Sequence, residues 1–237
     1  MNNLPFKLKI ETDMEKYRAE SFWNKEPETL VWIESFTNGD TFFDVGANIG
    51  IYALYAGTLY LDSEIRAFEP HHNNFLRLAE NIALNQYTNV HPALLAFSDV
   101  KKKEMFYAPS SEIGSSGGQI TNPISEHGKS FNAVYKRMVF TISMSEYCAL
   151  HNLEPNHIKI DVDGQEWRII KGMEGILKEN YLESVLVEVN KNKEDISEYF
   201  REFGFSTNCI FNDMKNHSRI RRAKEGIKAE NIVFVRR

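Results

Sequence analysis

Short apolar segments alternate with amphipathic ones from residue 40 to the end of the chain. The apolar segments are rich in Val, Ile and Phe, which predicts strands buried on both faces, as in a parallel sheet. The predicted strands cover residues 41–45, 64–68, 90–97, 104–107, 138–142, 158–162, 185–189, 205–211 and 231–235. Helices are predicted between them at residues 51–60, 73–84, 145–151, 166–178 and 194–203. This alternation predicts an α/β fold of right-handed βαβ units, and the last two strands read as a closing pair.

Residues 1–38 precede the alternation and are predicted to form an N-terminal helical extension, with helices near 14–23 and 28–36. The extension either caps the edge of the sheet or helps to roof the substrate cleft. Residues 39–237 are then expected to form the main domain, within one compact unit overall. The segment 110–130 is rich in glycine and serine, so we expect a flexible lid over the active site.

Composition and charge narrow the classes of function. With 42% hydrophobic and 26% charged residues the chain reads as soluble and globular. Its net charge of -5 argues against a nucleic-acid partner. No apolar run approaches the ~20 residues that span a bilayer, and no signal core is visible, so we expect a cytoplasmic protein. One basic cluster stands out, formed by Arg219, Arg221, Arg222 and Lys224. It is either a solvated loop or a contact for an anionic substrate.

The most informative stretch is T-F-F-D-V-G-A-N-I-G-I-Y at residues 41–52. It runs from a strand into a glycine turn and then into a helix. Gly46 and Gly50 let the backbone approach a ligand, and the start of the helix offers unpaired N–H groups. Glu69 ends the next strand about 20 residues later, where a carboxylate suits a ribose diol. Together these features predict a nucleoside site, although Glu69 could also serve only as a helix-capping acid.

The spacing of the turn favours one particular nucleoside. The dinucleotide pattern G-x-G-x-x-G has glycine where this chain has Asn48, and Asp44 would repel a pyrophosphate but attract an ammonium group. S-adenosylmethionine carries adenosine at one end and a zwitterionic amino acid at the other, which fits both observations. We therefore predict this cofactor, held by Asp44, Gly46, Asn48, Gly50 and Glu69. A nicotinamide or flavin nucleotide, or an ordinary structural turn, remains an alternative.

Further acids follow strands at the same edge of the predicted sheet. Because ligands bind outside the carboxyl ends of strands in open α/β sheets, Asp161 is the first candidate to bind or deprotonate an acceptor. Asp163 and Glu166 are next, and the alternative is that Asp161 and Asp163 only position their turn. No metal is expected, but hard oxygen ligands could gather around a divalent ion at Asp161, Asp163, Glu188 and Asn190. The histidines predicted to lie at the surface are His71, His72, His157 and His217.

The motifs together resemble the FkbM-type methyltransferases. The resemblance is carried by F-D-V-G-A-N-I-G at residues 43–50, F-E-P at 68–70 and I-K-I-D-V-D-G-Q-E at 158–166. The family usually reads K-I-D-V-E-G-x-E, so Asp163 stands in place of a longer glutamate. The match continues through V-L-V-E-V at 185–189 and N-I-V-F-V at 231–235. The first 38 residues and the loops near 108–137 and 212–228 resemble nothing identifiable.

The resemblance implies a Rossmann-like class I methyltransferase fold with a seven-stranded, mostly parallel sheet, helices on both faces and a C-terminal antiparallel hairpin. It also implies S-adenosylmethionine-dependent O-methylation of a sugar, glycan or small-molecule hydroxyl. In such a fold Ser98 and Asp99, after the third strand, would contact the adenine amino group, unless they form a plain turn. The alternatives are a nucleic-acid or protein methyltransferase, and a non-catalytic nucleoside-binding module on the same fold.

Overall fold

The computed structural model describes residues 4–125, 127–189, 192–207, 209–212 and 230–237. Its helices are α1 (Asp13–Lys25), α2 (Pro27–Ile33), α3 (Ile51–Leu59), α4 (His72–Asn85), α5 (Met144–His151), α6 (Glu166–Lys171), α7 (Glu174–Leu177), α8 (Lys193–Glu202) and α9 (Cys209–Asn212). Its strands are β1 (Thr41–Val45), β2 (Glu64–Phe68), β3 (Val90–Ala93), β4 (Ala96–Phe97), β5 (Lys102–Ala108), β6 (Gln119–Ile120), β7 (Tyr135–Ile142), β8 (His157–Ile160), β9 (Ser184–Val189), β10 (Phe205–Thr207) and β11 (Glu230–Arg236). None of these helices, over the residues described, combines the length and apolar character needed to cross a bilayer.

The main sheet has seven strands in the order β10-β11-β9-β8-β1-β2-β3. The pairs between β9, β8, β1, β2 and β3 are parallel, whereas β11 runs antiparallel to both β9 and β10. The predicted seven-stranded, mostly parallel sheet with a closing antiparallel pair is confirmed. Because parallel strands end at one edge of a sheet, the carboxyl ends of β1, β2, β8 and β9 meet there.

Helices cover both faces of this sheet, as predicted. Alternate side chains of β1 enter two cores: Phe42 packs with apolar residues of α1 to α4, and Phe43 packs with those of α5 to α8. The N-terminal extension joins the first core through Phe22 of α1 and Trp32 of α2, each 1% exposed. It is therefore an integral part of the packing of the main domain.

The predicted third strand at residues 90–97 is wrong as a single element. β3 ends at Ala93, where the Leu95 N–H donates to the Ala93 carbonyl at 3.0 Å and turns the chain sharply. The next two residues form β4, which belongs to a second, four-stranded sheet in the order β4-β7-β5-β6. The predicted strands at 104–107 and 138–142 also lie in this second sheet, which the sequence pattern did not separate from the first.

Two further boundaries differ from the prediction. The predicted helix at 166–178 is interrupted at Gly172, where a Cβ atom would lie 2.2 Å from the carbonyl oxygen of Ser98. The chain therefore divides into α6 and α7 at the point where its backbone touches the segment that follows β4. The predicted strand at 205–211 ends at Thr207, and the short helix α9 follows after one residue.

Candidate active site

A cavity of about 320 Å³ opens at the carboxyl edge of the main sheet. The ends of β1, β2, β8 and β9 form its floor, and residues of α1, α4, β5 and the segment 115–118 contribute to the remaining walls. Several sequence-predicted site residues line it together, namely Gly46, Asn48, Glu69, Asp161 and Asp163. The glycine turn and the acids after β8 therefore face one space, as the rule on strand ends predicted.

The glycine turn is clamped between two strands. The N–H groups of Gly46 and Ala47 both donate to the Phe68 carbonyl at 3.0 Å, which ties the turn to the end of β2. Gly46 has φ +82°, and a Cβ atom there would lie 1.9 Å from the carbonyl oxygen of Asp161 at the end of β8. Gly50 caps α3 with φ +93°. Position 46 therefore requires glycine for its conformation and for its close contact with β8.

Asn48 at the tip of the turn is joined directly to the predicted ribose acid. The Asn48 N–H donates to Glu69 Oε2 at 2.8 Å, and the His71 N–H donates to Oε1 at 2.8 Å. Burial raises the pKa of Glu69 to about 7, although these two hydrogen bonds and the Arg18 guanidinium act to lower it. Each carboxylate oxygen has two lone pairs, so Glu69 retains acceptor capacity for hydroxyl groups of a ligand.

Asp44 lies beneath the cavity and is not part of its lining. Its side chain is 0% exposed, and its Oδ2 accepts a hydrogen bond from the Ala53 N–H of α3 at 3.2 Å. The ammonium of Lys159 lies 3.8 Å from Asp44 Oδ1 and 3.0 Å from Asp161 Oδ2. Burial lowers the pKa of Lys159, but the two carboxylates raise it above its ordinary value. One buried cation therefore links Asp44 under the turn to Asp161 in the cavity wall.

The same cation is coupled to the N-terminal extension. Glu26, between α1 and α2, accepts a hydrogen bond from the Tyr52 hydroxyl at 2.7 Å and pairs with the Lys25 ammonium at 2.7 Å. The Lys159 ammonium lies 4.9 Å from the centre of the Tyr52 ring. Burial raises the pKa of Glu26, but Lys25 and Lys159 together lower it to about 2. We call these linked side chains the charge cluster: Lys25, Glu26, Asp44, Tyr52, Lys159 and Asp161.

The segment predicted as a lid, residues 110–130, lies against the cavity. The Asn48 side-chain amide donates to the Ser115 carbonyl at 2.8 Å. The Gly117 N–H donates to Asp163 Oδ2 at 2.7 Å, and Asp163 itself has φ +57°, in the left-handed region. Hydrogen bonds to both the glycine turn and the acidic loop therefore hold this segment over the site, where a lid would lie.

Helix α1 forms another wall, to which Met14, Tyr17 and Arg18 contribute. A buried ion pair between Glu15 and Arg77 fixes α1 to α4, with the two side chains 0% and 2% exposed. The Arg18 Nε–H donates to the Gly114 carbonyl at 2.7 Å, which joins α1 to the lid segment. The extension thus packs in the core on one face of the sheet and also lines the cavity.

Ser98, Asp99 and Glu166 stay outside the lining of the cavity. The chain turns away after β3 into the second sheet and carries Ser98 and Asp99 with it. There the Ser98 hydroxyl donates to Asp99 Oδ1 at 2.8 Å, and an Arg168 Nη donates to the same oxygen at 2.9 Å. Glu166 accepts a hydrogen bond from the Gly164 N–H at 2.9 Å, and burial raises its pKa to about 7.

A smaller pocket of about 40 Å³ adjoins the main cavity. The two share Gly46, Pro70, Phe106, Gly118 and Val162 in their linings. The rest of the smaller lining is apolar except for Gln165, and consists of Val45, Phe68, Leu95, Ala96, Phe97, Ile120, Ile169 and Gln165. Apolar walls of this kind suit the faces of a planar ring.

Two histidines predicted at the surface are buried, so that prediction is wrong for both. His71 is 3% exposed and lines the cavity. His157 is 6% exposed and lies at the other edge of the sheet, with ring nitrogens 2.8 Å from the Ser184 hydroxyl and 3.0 Å from Asp40 Oδ2. Burial lowers the pKa of each imidazole. His157 therefore braces the starts of three strands, far from the cavity.

Some predicted residues lie outside the described part of the chain: Asn190, His217, Arg219, Arg221, Arg222 and Lys224. What the sequence suggests for them stays a prediction. Among the residues that are described, no three side chains of His, Cys, Asp or Glu converge closely enough to hold a metal ion.

Three further charged residues at the site were not predicted from the sequence: Lys159, Lys25 and Arg18. The sequence does indicate a role for Lys159, since this residue is a single charge between two isoleucines in a strand predicted to be buried. Lysine is almost never fully buried unless it is paired, so this position implied acidic partners. Lys25 and Arg18 carried no such signal, because nothing in the extension indicated which face would meet the sheet.

A family model described as the FkbM methyltransferase domain matches residues 44–207. The match spans the glycine turn, Glu69 and the acidic loop after β8, so it includes the strand-end elements that meet at the cavity. Together with the order of the main sheet, it identifies a Rossmann-like class I methyltransferase fold.

Among curated proteins, the chain is similar to the hexuronic acid methyltransferase AglP of Haloferax volcanii. The two are 26% identical over 199 residues, which cover 84% of this chain and 77% of AglP. Among solved structures, an rRNA methylase from Streptococcus thermophilus aligns with a TM-score of 0.49 and 9% identity over 96% of this chain and 98% of its own. A ribosomal protein L11 methylase from Lactobacillus delbrueckii subsp. bulgaricus aligns with a TM-score of 0.49 and 13% identity, over 89% and 77%.

The substitution Gly46→Ala tests the clamp on the glycine turn. Gly39→Ala is a matched control, because Gly39 also has positive φ (+107°) but has nothing within 4 Å of a Cβ atom. Gly39→Ala should cost only the backbone strain, about 1–3 kcal/mol. Gly46→Ala should lower the free energy of unfolding further, because the new methyl group meets the Asp161 carbonyl. Equal losses in urea denaturation would contradict the clamp.

The substitution Lys159→Met tests the charge cluster. It leaves the buried carboxylate of Asp44 and the partly exposed carboxylate of Asp161 without their cation, and breaking a buried ion pair typically costs about 3–5 kcal/mol of unfolding free energy. Lys7→Met at an exposed position should change it by no more than about 0.5 kcal/mol. Adding Asp44→Asn to Lys159→Met should recover part of the loss, because one stranded charge is removed. A stable Lys159→Met protein in urea denaturation would show that the ammonium does not compensate these acids.

Proposed function

Since the chain belongs to the FkbM methyltransferase family, we propose that it uses S-adenosylmethionine to methylate a hydroxyl group of a sugar or related small molecule. The observation that carries the proposal is the junction of Asn48 with Glu69 in the wall of the cavity. It joins a glycine turn to a buried acid at the end of the adjacent strand, an arrangement suited to a nucleoside. A relative named for its action on hexuronic acids supports a sugar as acceptor.

The residues around the cavity fit such a cofactor. Glu69 would hold the ribose, because its carboxylate faces the cavity and retains acceptor capacity for hydroxyl groups. The apolar pocket beside Pro70 and Leu95 would hold adenine, in place of the predicted contact with Ser98 and Asp99. The amino-acid end would lie at Gly46, towards the acids that follow β8.

Asp44 acts as a positioning residue in this proposal. Its carboxylate is fully buried and is bound to the backbone of α3 and to Lys159. Burial raises its pKa to about 6, partly offset by the Lys159 cation. It would therefore influence the cofactor through the geometry of the turn and the field of the charge cluster, without direct contact.

The cofactor would supply a methyl group on a sulfonium, which departs as a neutral thioether. The task of the chain is then to hold the acceptor hydroxyl in line and to take up its proton. Asp161 is the first candidate, because Lys159 fixes one edge of its carboxylate at the cavity wall. A carboxylate accepts several hydrogen bonds, so this pairing leaves capacity for an acceptor hydroxyl. Asp163, bound to the lid segment, is the second candidate.

Cofactor binding should depend on pH through Glu69. Its pKa in the free protein is raised to about 7, and the ionised carboxylate is the stronger acceptor for ribose hydroxyls. The affinity for S-adenosylhomocysteine should therefore rise as the pH increases through about 7 and level off above it. In Glu69→Gln this rise should disappear, and at high pH binding should be at least about tenfold weaker, or ~1.4 kcal/mol. Calorimetry across the pH range measures both, and a rise that persists in Glu69→Gln would assign it to another group.

Methyl transfer itself is tested with labelled S-adenosylmethionine and a panel of sugars, sugar nucleotides and glycans. We expect label in a sugar ether and none in RNA or protein. Asp161→Asn should lower kcat by about 10²-fold or more, the usual contribution of a general base, while cofactor affinity stays nearly unchanged. Asp195→Asn on the exposed side of α8 is the control and should retain full activity. Normal turnover by Asp161→Asn would remove Asp161 from the mechanism.

A further inference from the structure

Helix α1 presents a guanidinium group, that of Arg18, to the cavity. Arg18 lines the cavity and is half-buried. Its Nε–H donates to the Gly114 carbonyl at 2.7 Å, which holds the group beside the segment 115–118. No carboxylate of a described residue pairs with its two Nη atoms. Arginine has five N–H donors in a rigid fork, so most of the recognition capacity of this side chain remains available.

Arg18 differs from the other charged residues that line the cavity, most of which are acids. The acids in the lining are Glu69, Asp161, Asp163 and Glu188. Two cations line it among the described residues, Lys25 and Arg18, and Lys25 is already paired with Glu26 at 2.7 Å. Arg18 lies within electrostatic reach of both Glu69 and Lys25, since its charge opposes the upward shift in the pKa of each. Arg18 is therefore the cation in the described lining that is left to meet an anionic ligand.

We propose that Arg18 is a specificity residue that binds the carboxylate of an acidic sugar acceptor. This inference rests on the proposed function, because it assumes that the cavity holds cofactor and acceptor together. A guanidinium fork matches a carboxylate with two parallel hydrogen bonds. Arg18 stands on α1, whereas the groups assigned to the cofactor stand on strand ends and on the adjoining apolar pocket. Tyr17, its neighbour in the same wall, adds an aromatic surface beside the bound sugar.

A neutral sugar would leave the Arg18 fork facing the ligand without a partner, so the site should discriminate between acid and neutral forms of one sugar. Sites built to pair a polar group commonly reject the analogue that lacks it. The recognised class is thus a hexuronate or a similar carboxylated sugar, and the methylated group is one of its hydroxyls. Arg18→Lys keeps the positive charge but lacks the planar guanidinium. This variant should therefore retain only part of the preference for the acidic sugar over the neutral one.

The test compares binding of methyl β-D-glucuronide and methyl β-D-glucoside to the protein saturated with S-adenosylhomocysteine. Wild type should bind the glucuronide at least about tenfold more tightly. Arg18→Gln should lose that preference and leave the affinity for the glucoside unchanged. Lys16→Gln removes one positive charge from the solvent side of the same helix, and should behave as wild type. Absence of any preference in wild type, or an unchanged preference in Arg18→Gln, would overturn the proposal.

A second comparison separates the two possible sources of the carboxylate. S-adenosylhomocysteine has a carboxylate and 5′-methylthioadenosine does not. If Arg18→Gln weakens binding of the first and spares the second, Arg18 serves the cofactor and its assignment to the acceptor is wrong. Failure of the proposed function is distinguishable, because it would appear as no methyl transfer to any sugar. Glucuronide binding that depends on Arg18 would then still support the carboxylate site.

Discussion

A single buried ammonium group, that of Lys159, holds the candidate site together. It lies between Asp161 in the cavity wall and Asp44 beneath the glycine turn. It also acts on Glu26, whose ionised form it helps to stabilise. The carboxylate of Asp44 would be costly to bury alone, so its position depends on the cation that it shares with Asp161. Three parts of the chain, namely the extension, β1 and β8, are thereby fixed relative to one another.

The cavity follows from this constraint together with two backbone contacts. Gly46 packs so closely on the Asp161 carbonyl that the turn after β1 and the loop after β8 leave no space between them. Asn48 then donates to Glu69, which closes the junction with β2. The lid segment and α1 complete the walls through bonds to Asn48, Asp163 and the Gly114 carbonyl. The site is thus built from strand ends that the fold has already brought together.

The parts of this arrangement that depend on local chemistry could be predicted from the sequence. The spacing of Gly46, Asn48 and Gly50 and the acid at the end of the next strand are encoded within about 30 residues, a single βαβ unit. The parallel order of the strands follows from their alternation with helices. Because ligands bind outside the carboxyl ends of parallel strands, Asp161 and Asp163 after β8 could also be predicted at the cavity, and both line it.

The features that the prediction missed depend on distant contacts. The break after Ala93 exists because Ala96 and Phe97 pair with β7, more than 40 positions later. This pairing places Ser98 and Asp99 away from the cavity. No local sequence pattern predicts the pairing. Arg18 and Lys25 reach the site only because α1 packs on α3 and α4, which depends on the Glu15–Arg77 pair and on Phe22. Lys159, in contrast, could have been identified from the sequence, because it is a lone charge in a strand predicted to be buried.

A crystal structure of the protein with S-adenosylhomocysteine would test the central claim most directly. We expect the ribose hydroxyl groups to lie within hydrogen-bond distance of Glu69, with adenine in the apolar pocket beside Pro70 and Leu95. The amino-acid end should lie at Gly46 above the buried charge cluster. A nucleoside bound elsewhere, or one whose ribose makes no contact with Glu69, would contradict it.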